Sequence, residues 1–115
     1  MSATSPLIKL REDQKRIEEI LKELENQKKE IDAKYASVLE EENKFLEEFR
    51  KCRDPYQYSR LEIRVNAVSR RRRELEVKKQ EIDRKIRGHQ EELKKIKARI
   101  EYMKPKGELV TYKEQ

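Results

Sequence analysis

Four groups of residues have types that could carry chemistry: a lone cysteine, Cys52, a lone histidine, His89, the arginine run Arg70, Arg71, Arg72 and Arg73, and a large set of carboxylates. A nucleophilic thiol needs a base beside it to be held as thiolate, and no such base lies near Cys52 in the chain. A metal site needs several ligands at fixed spacing, and His89 has neither a second histidine nor a cysteine at ligand spacing. The carboxylates stand three and four residues from lysines and arginines, as around Glu19 and Glu23, which is helix-surface charge patterning and not an acid–base pair. The four arginines could meet the phosphates of a nucleic acid. No aromatic residues interleave with them to stack bases, and Glu74 and Glu76 follow at once. These readings predict a protein that is not an enzyme and holds no cofactor and no metal.

The elements that position these residues follow from composition and period. Of 115 residues, 47% are charged and 34% hydrophobic, with two glycines, three prolines and no tryptophan. That is too little apolar material for a globular core and too few turn formers for a sheet, a P-loop or a Rossmann unit. Ala, Glu, Lys, Leu and Arg supply 65 residues, the composition of long helices.

Every seventh residue from Ile17 gives Ile17, Leu24, Ile31, Val38, Phe45 and Cys52, with Gln14, Leu21, Lys28, Tyr35, Glu42 and Phe49 as the companion row. A second series runs Leu61, Val68, Leu75, Ile82, His89, Ile96 and Met103, accompanied by Val65, Arg72, Lys79, Ile86, Leu93 and Ile100. An apolar period of 3.5 residues specifies a narrow seam and a left-handed supercoil.

Between the series, Asp54 is a good N-cap, Pro55 suits the first helical position, and Gln57 stands where a capping-box partner belongs. Ser5-Pro6 repeats the start signal, and Pro105 with Gly107 closes the second helix. The expected fold class is therefore all-α, an antiparallel coiled-coil hairpin of two long helices, with self-association as a further expectation. Residues 1–5 are expected to be disordered. Helices are expected over 6–52 and 55–104, a turn over 53–57, and a flexible tail over 105–115.

In an antiparallel pair the facing residue numbers have a constant sum, here 110, which places Leu24 opposite Ile86, Lys28 opposite Ile82, Tyr35 opposite Leu75 and Glu42 opposite Val68. Every polar seam residue then meets an apolar one, and lysine and arginine stems are expected to cross the seam with their charged heads in water. His89, opposite Leu21, is expected to fix register. Of the two flanks, one pairs Glu48 with Arg64, Glu41 with Arg71 and Asp13 with Arg99. The other sets Asp32 against Glu76, Glu25 against Asp83 and Arg11 against Lys97, so a repulsive edge is expected, open to a second hairpin or a partner helix. Folding back also brings the arginine run beside Glu40, Glu41 and Glu42, which would neutralise it.

Residues 1–53 hold 12 Lys and Arg against 13 Asp and Glu, and residues 54–115 hold 18 against 11. The second helix is thus the basic one. No stretch approaches the ~20 apolar residues of a membrane span, and the single cysteine with no apolar leader points to a reducing, intracellular location, cytoplasmic or nuclear. Leu39, Leu46 and Ile63 lie outside the seam near the turn, flanked by Tyr56 and Tyr58, and form the candidate partner-binding cluster. The segment Glu108 to Tyr112 is expected to fray.

Three resemblances attach to particular segments. Pro6-Leu7-Ile8-Lys9-Leu10-Arg11-Glu12, ahead of a long charged hairpin, is similar to the central-stalk family of flagellar and type III export ATPases and implies a stalk-like or chaperone-like component. Leu61 to Val68 resembles the second helix of an archaeal prefoldin subunit, although prefoldins place strand hairpins where this chain has only residues 54–60. Asp54-Pro55-Tyr56 resembles the turn of tubulin-binding cofactor A, which adds a third helix. The expected function is a non-catalytic protein–protein interaction module (assembly, adaptor or spacer). The alternative is a nucleic-acid binder using Arg70, Arg71, Arg72 and Arg73.

Overall fold

A computed structural model describes residues 5–104. They form an all-helical hairpin: α1, Pro6–Lys51, and α2, Pro55–Met103, joined by Cys52, Arg53 and Asp54. Each helix ends one residue before its expected limit, and the disorder expected for residues 1–4 and the flexible tail expected over 105–115 lie outside the described residues.

The helix starts arise from local hydrogen bonding. At α1 the Ile8 amide donates to Ser5 Oγ at 3.1 Å. At α2 the Tyr56 amide donates to Asp54 Oδ1 at 3.1 Å, while the Asp54 carbonyl accepts from the Tyr58 amide at 2.9 Å. In both, proline occupies the first helical position, where its missing N–H costs nothing. The reciprocal half of the expected capping box is not formed: Gln57 makes no hydrogen bond back to Asp54 among the described residues. Asp54→Ala should therefore lose one cap and cost about 1 kcal/mol, read as a lower urea midpoint with unchanged helicity at low denaturant. An unshifted midpoint would mean that the turn is held by packing alone.

The chain divides into two compact units, one made of residues up to Leu24 and from Lys85 onward, the other of Glu25–Arg84. In the first, Ile17, Leu24, Ile86 and Ile100 are the buried apolar residues. In the second, Val38, Val68 and Ile82 are buried, joined by one charged residue, Glu42. All eight belong to the heptad rows. The periodicity selects which residues leave water because only a 3.5-residue repeat keeps a stripe facing its partner along helices this long.

Within the Glu25–Arg84 unit the register can be read from polar contacts. Lys28 Nζ lies 3.3 Å from Asp83 Oδ1, and Lys79 Nζ 3.2 Å from Asp32 Oδ1. Tyr35 donates its hydroxyl to Glu76 Oε2 at 2.8 Å, and Ser69 donates to Glu42 Oε2 at 2.5 Å. In all four pairs the residue numbers sum to 111, one more than the seam register. In these four pairs the seam residue reaches past its apolar opposite number to the next residue of the facing helix, on the flank, whereas Arg72 spans the seam to Glu42 and meets Glu76 on its own helix.

The geometry adds to two expectations. The Lys28 and Lys79 heads stay partly open to solvent, with 43% and 33% of their side chains exposed, and each also meets a carboxylate of the facing helix. On the flank expected to repel, Asp83, Asp32 and Glu76 each meet a group from the seam, which relieves the expected repulsion within the Glu25–Arg84 unit. The opposite flank forms only in part. Arg71 pairs with Glu41 at 3.4 Å, whereas Asp13 pairs along its own helix with Arg16 at 3.1 Å, and Arg64 lies over the Phe45 ring at 5.9 Å.

Candidate interaction surface

Around the turn, the positions of the aromatic residues follow from the short connection. Three residues between helices bring the first turn of α2 against the last turn of α1, and the Phe49 and Tyr58 rings stack with centroids 4.3 Å apart and planes at 27°. Tyr58, proposed from the sequence as a partner contact, stacks at the tip and keeps 43% of its surface exposed. Cys52 is half-buried and its thiol donates to the Asp54 carbonyl at 3.4 Å, a local turn contact.

The other candidates remain open to solvent. Tyr56 is 74% exposed and Ile63 70% exposed, Leu39 is exposed, and Leu46 is half-buried. Arg60 lies over the Tyr56 ring at 6.0 Å, a weak cation–π contact that orients both side chains. A shallow recess of about 200 Å³ beside them is lined by Gln57, Arg60, Leu61 and Arg64.

The arginine run divides by heptad position. Arg72, on the seam, donates through Nε to Glu42 Oε1 at 2.6 Å and through Nη1 to Glu76 Oε2 at 3.0 Å. Arg71, on the flank, meets Glu41. Arg70 and Arg73 are exposed, and neither forms an ion pair among the described residues. Neutralisation by α1 thus reaches two of the four arginines.

The network centred on Glu42 is electrostatically closed. The Ser69 hydroxyl, followed by the Arg72 guanidinium, holds the Glu42 carboxyl below the ordinary carboxylate value, against the opposing effect of burial. The Tyr35 hydroxyl and Arg72 do the same for Glu76. Donating to Glu76 pushes the Tyr35 phenol up, and Asp83 pushes the Lys28 ammonium up. Lys79 extends the chain of contacts, its Nζ lying 4.4 Å from the centre of the Tyr35 ring. Glu42 and Glu76 share Arg72, Lys28 meets Asp83 and Lys79 meets Asp32, so each charged member has an opposite charge beside it.

His89 turns along its own helix, with Nδ1 2.7 Å from Glu92 Oε1, a contact available to any helical His at i,i+3 from a carboxylate. It is half-buried on the seam. Among the described residues no group of three or more His, Cys, Asp or Glu side chains converges to hold a metal, and no helix is long and apolar enough to cross a membrane.

Three exposed apolar residues escaped the sequence reading, Ile8, Val77 and Tyr102. Val77 is 53% exposed, and its signal was present as a third heptad row, Tyr56, Ile63, Arg70, Val77 and Arg84, on the side of α2 away from the seam. No known protein family, curated protein or solved structure matches this chain.

Proposed function

We propose that this chain is a non-catalytic coiled-coil module for protein–protein interaction, serving assembly, adaptor or spacer roles in the cytoplasm or nucleus. The observation that carries this reading is the pair of large apolar side chains left in solvent beside the turn. Tyr56 and Ile63 stand exposed on the helix whose first turn stacks Tyr58 on Phe49. Aromatic and aliphatic groups held on an ordered element lose little entropy on docking and make effective anchors.

The test is capture from the source cell with the full chain and with a variant carrying Leu39→Ser, Leu46→Ser, Tyr56→Ser and Ile63→Lys. The variant keeps Phe49 and Tyr58, so its helicity should match that of the wild type while the captured proteins are lost. Retention of the same proteins would remove the tip from the function.

The exposed Arg70 and Arg73 favour a second reading, nucleic-acid binding along α2. Phosphate neutralisation predicts affinity for generic duplexes that falls steeply with salt. A salt titration that shows such binding, together with unchanged protein capture by the tip variant, would establish that reading in place of the first.

A further inference from the structure

We propose that the outward face of α2, from Tyr56 to Arg84, docks an acidic amphipathic helix of a partner protein. The inference rests on the interaction-module reading and names its partner's chemistry. Three large apolar residues, Tyr56, Ile63 and Val77, share one row at multiples of seven residues, about 10.5 Å apart per heptad. That interval is the one at which a second helix wrapping α2 returns to it. Between and beyond them in the same row stand Arg70 and Arg84, and Arg73 lies in the adjacent row with Ser59, Asn66 and Gln80. Neither row holds a carboxylate from Tyr56 to Arg84, in a chain with 24 Asp and Glu. The three arginines have no ion pair among the described residues, in contrast to Arg72, which is committed to two carboxylates.

Charge and shape select among occupants. A second copy docking through its own α2 would set arginines against arginines. A second copy docking through the outward row of α1, Asn26, Ala33, Glu40 and Glu47, would supply carboxylates and no large apolar group. A nucleic acid would meet the arginines but gain nothing from Ile63 and Val77, and Glu74 and Glu81 border the face on one side. A helix with an apolar stripe flanked by glutamates satisfies both components. Three apolar residues give a thin contact, so the arginines decide which helix is accepted.

The experiment measures binding of the full chain to three labelled probes: an amphipathic helix with leucines along one stripe and glutamates on both flanks, the same helix with lysines on the flanks, and a generic DNA duplex. The glutamate helix should bind, with an affinity that falls as salt is added, and the lysine helix should not. Arg70→Glu, Arg73→Glu and Arg84→Glu together should weaken the glutamate helix by at least about tenfold and admit the lysine helix. Val77→Ser should weaken the glutamate helix with helicity unchanged. A control carrying Lys29→Glu, Lys34→Glu and Lys44→Glu makes the same change in net charge on α1 and should bind as the wild type does. Equal losses in the control and the arginine variant would overturn the proposal, as would DNA binding without binding of the glutamate helix, or self-association abolished by the arginine changes. Capture from the source cell separates the two levels of inference. If the arginine variant captures the same proteins as wild type while the tip variant loses them, the module reading stands and the acidic-helix assignment falls.

Discussion

Leu24→Asp should abolish most of the far-UV helical signal at neutral pH and 25 °C. Leu24 is 7% exposed, and on the seam register it faces Ile86, also 7% exposed. The new carboxylate would have an apolar residue opposite, so its charge must be desolvated, be neutralised by proton uptake, or force the helices apart. Leaving a charge uncompensated in a packed layer costs about 3–5 kcal/mol. A small domain is stable by only about 5–15 kcal/mol in all, and a seam one residue deep belongs at the low end. Ile86→Asp should behave alike, whereas Leu24→Met, which keeps the volume, should cost less than about 1.5 kcal/mol. Circular dichroism with thermal melts measures all three. Both Asp variants melting with the wild type would mean that the register is wrong.

The second large effect concerns Glu42, 6% exposed, and its partner Arg72. Arg72→Leu would strand the Glu42 carboxylate with Ser69 alone, while Glu42→Leu would leave Arg72 its bond to Glu76. The arginine replacement should therefore lower the urea midpoint more than the glutamate replacement. The double variant should recover to near or above wild type, because leucines at these positions would face Val38 and Val68 and complete two apolar layers. The expected coupling is positive. Additive losses would show that Glu42 and Arg72 do not act as a pair.

The same network sets a pH dependence. The folded-state values of Glu42 and Glu76 lie below the ordinary 4.5. Their contribution is thus complete above pH ~4.5 and is lost as pH falls through the depressed values. Tyr35 and Lys28 lie above their ordinary 10.0 and 10.5, so their contributions are complete below those values and are lost as pH rises through the raised ones. The double leucine variant should lose stability less steeply on acidification than the wild type.

The seam and the turn were legible in the sequence for separate reasons. The heptad rows of the two series pick out Ile17, Leu24, Val38, Val68, Ile82, Ile86 and Ile100 as the residues to bury, and Asp54-Pro55 marks the restart through hydrogen-bonding chemistry local to the turn. The polar layers were read less well. A heptad label says which residue faces which, but Lys28, Lys79, Tyr35 and Glu42 have side chains long enough to bypass the facing residue, so their partners depend on reach. Near the ends the heptad argument also weakens. Met103, assigned to the seam, is 42% exposed, and Tyr58, which continues the row of Val65 one heptad earlier, stacks on Phe49 across the short connection. The row through Tyr56, Ile63 and Val77 went unseen as a unit because Arg70 interrupts it between Ile63 and Val77, which masks an apolar repeat.

No side chain among the described residues is fully sealed from solvent: even the best-covered, Ile17 and Val38, keep 3% and 4% of their surface. Unfolding such a hairpin newly wets little hydrocarbon, and the heat-capacity increment of unfolding scales with that area. The increment should thus fall below the ~12–15 cal/mol/K per residue typical of globular domains. Stability would then bend only gently with temperature, and cold would loosen the hairpin far less than it loosens a protein with a deep core.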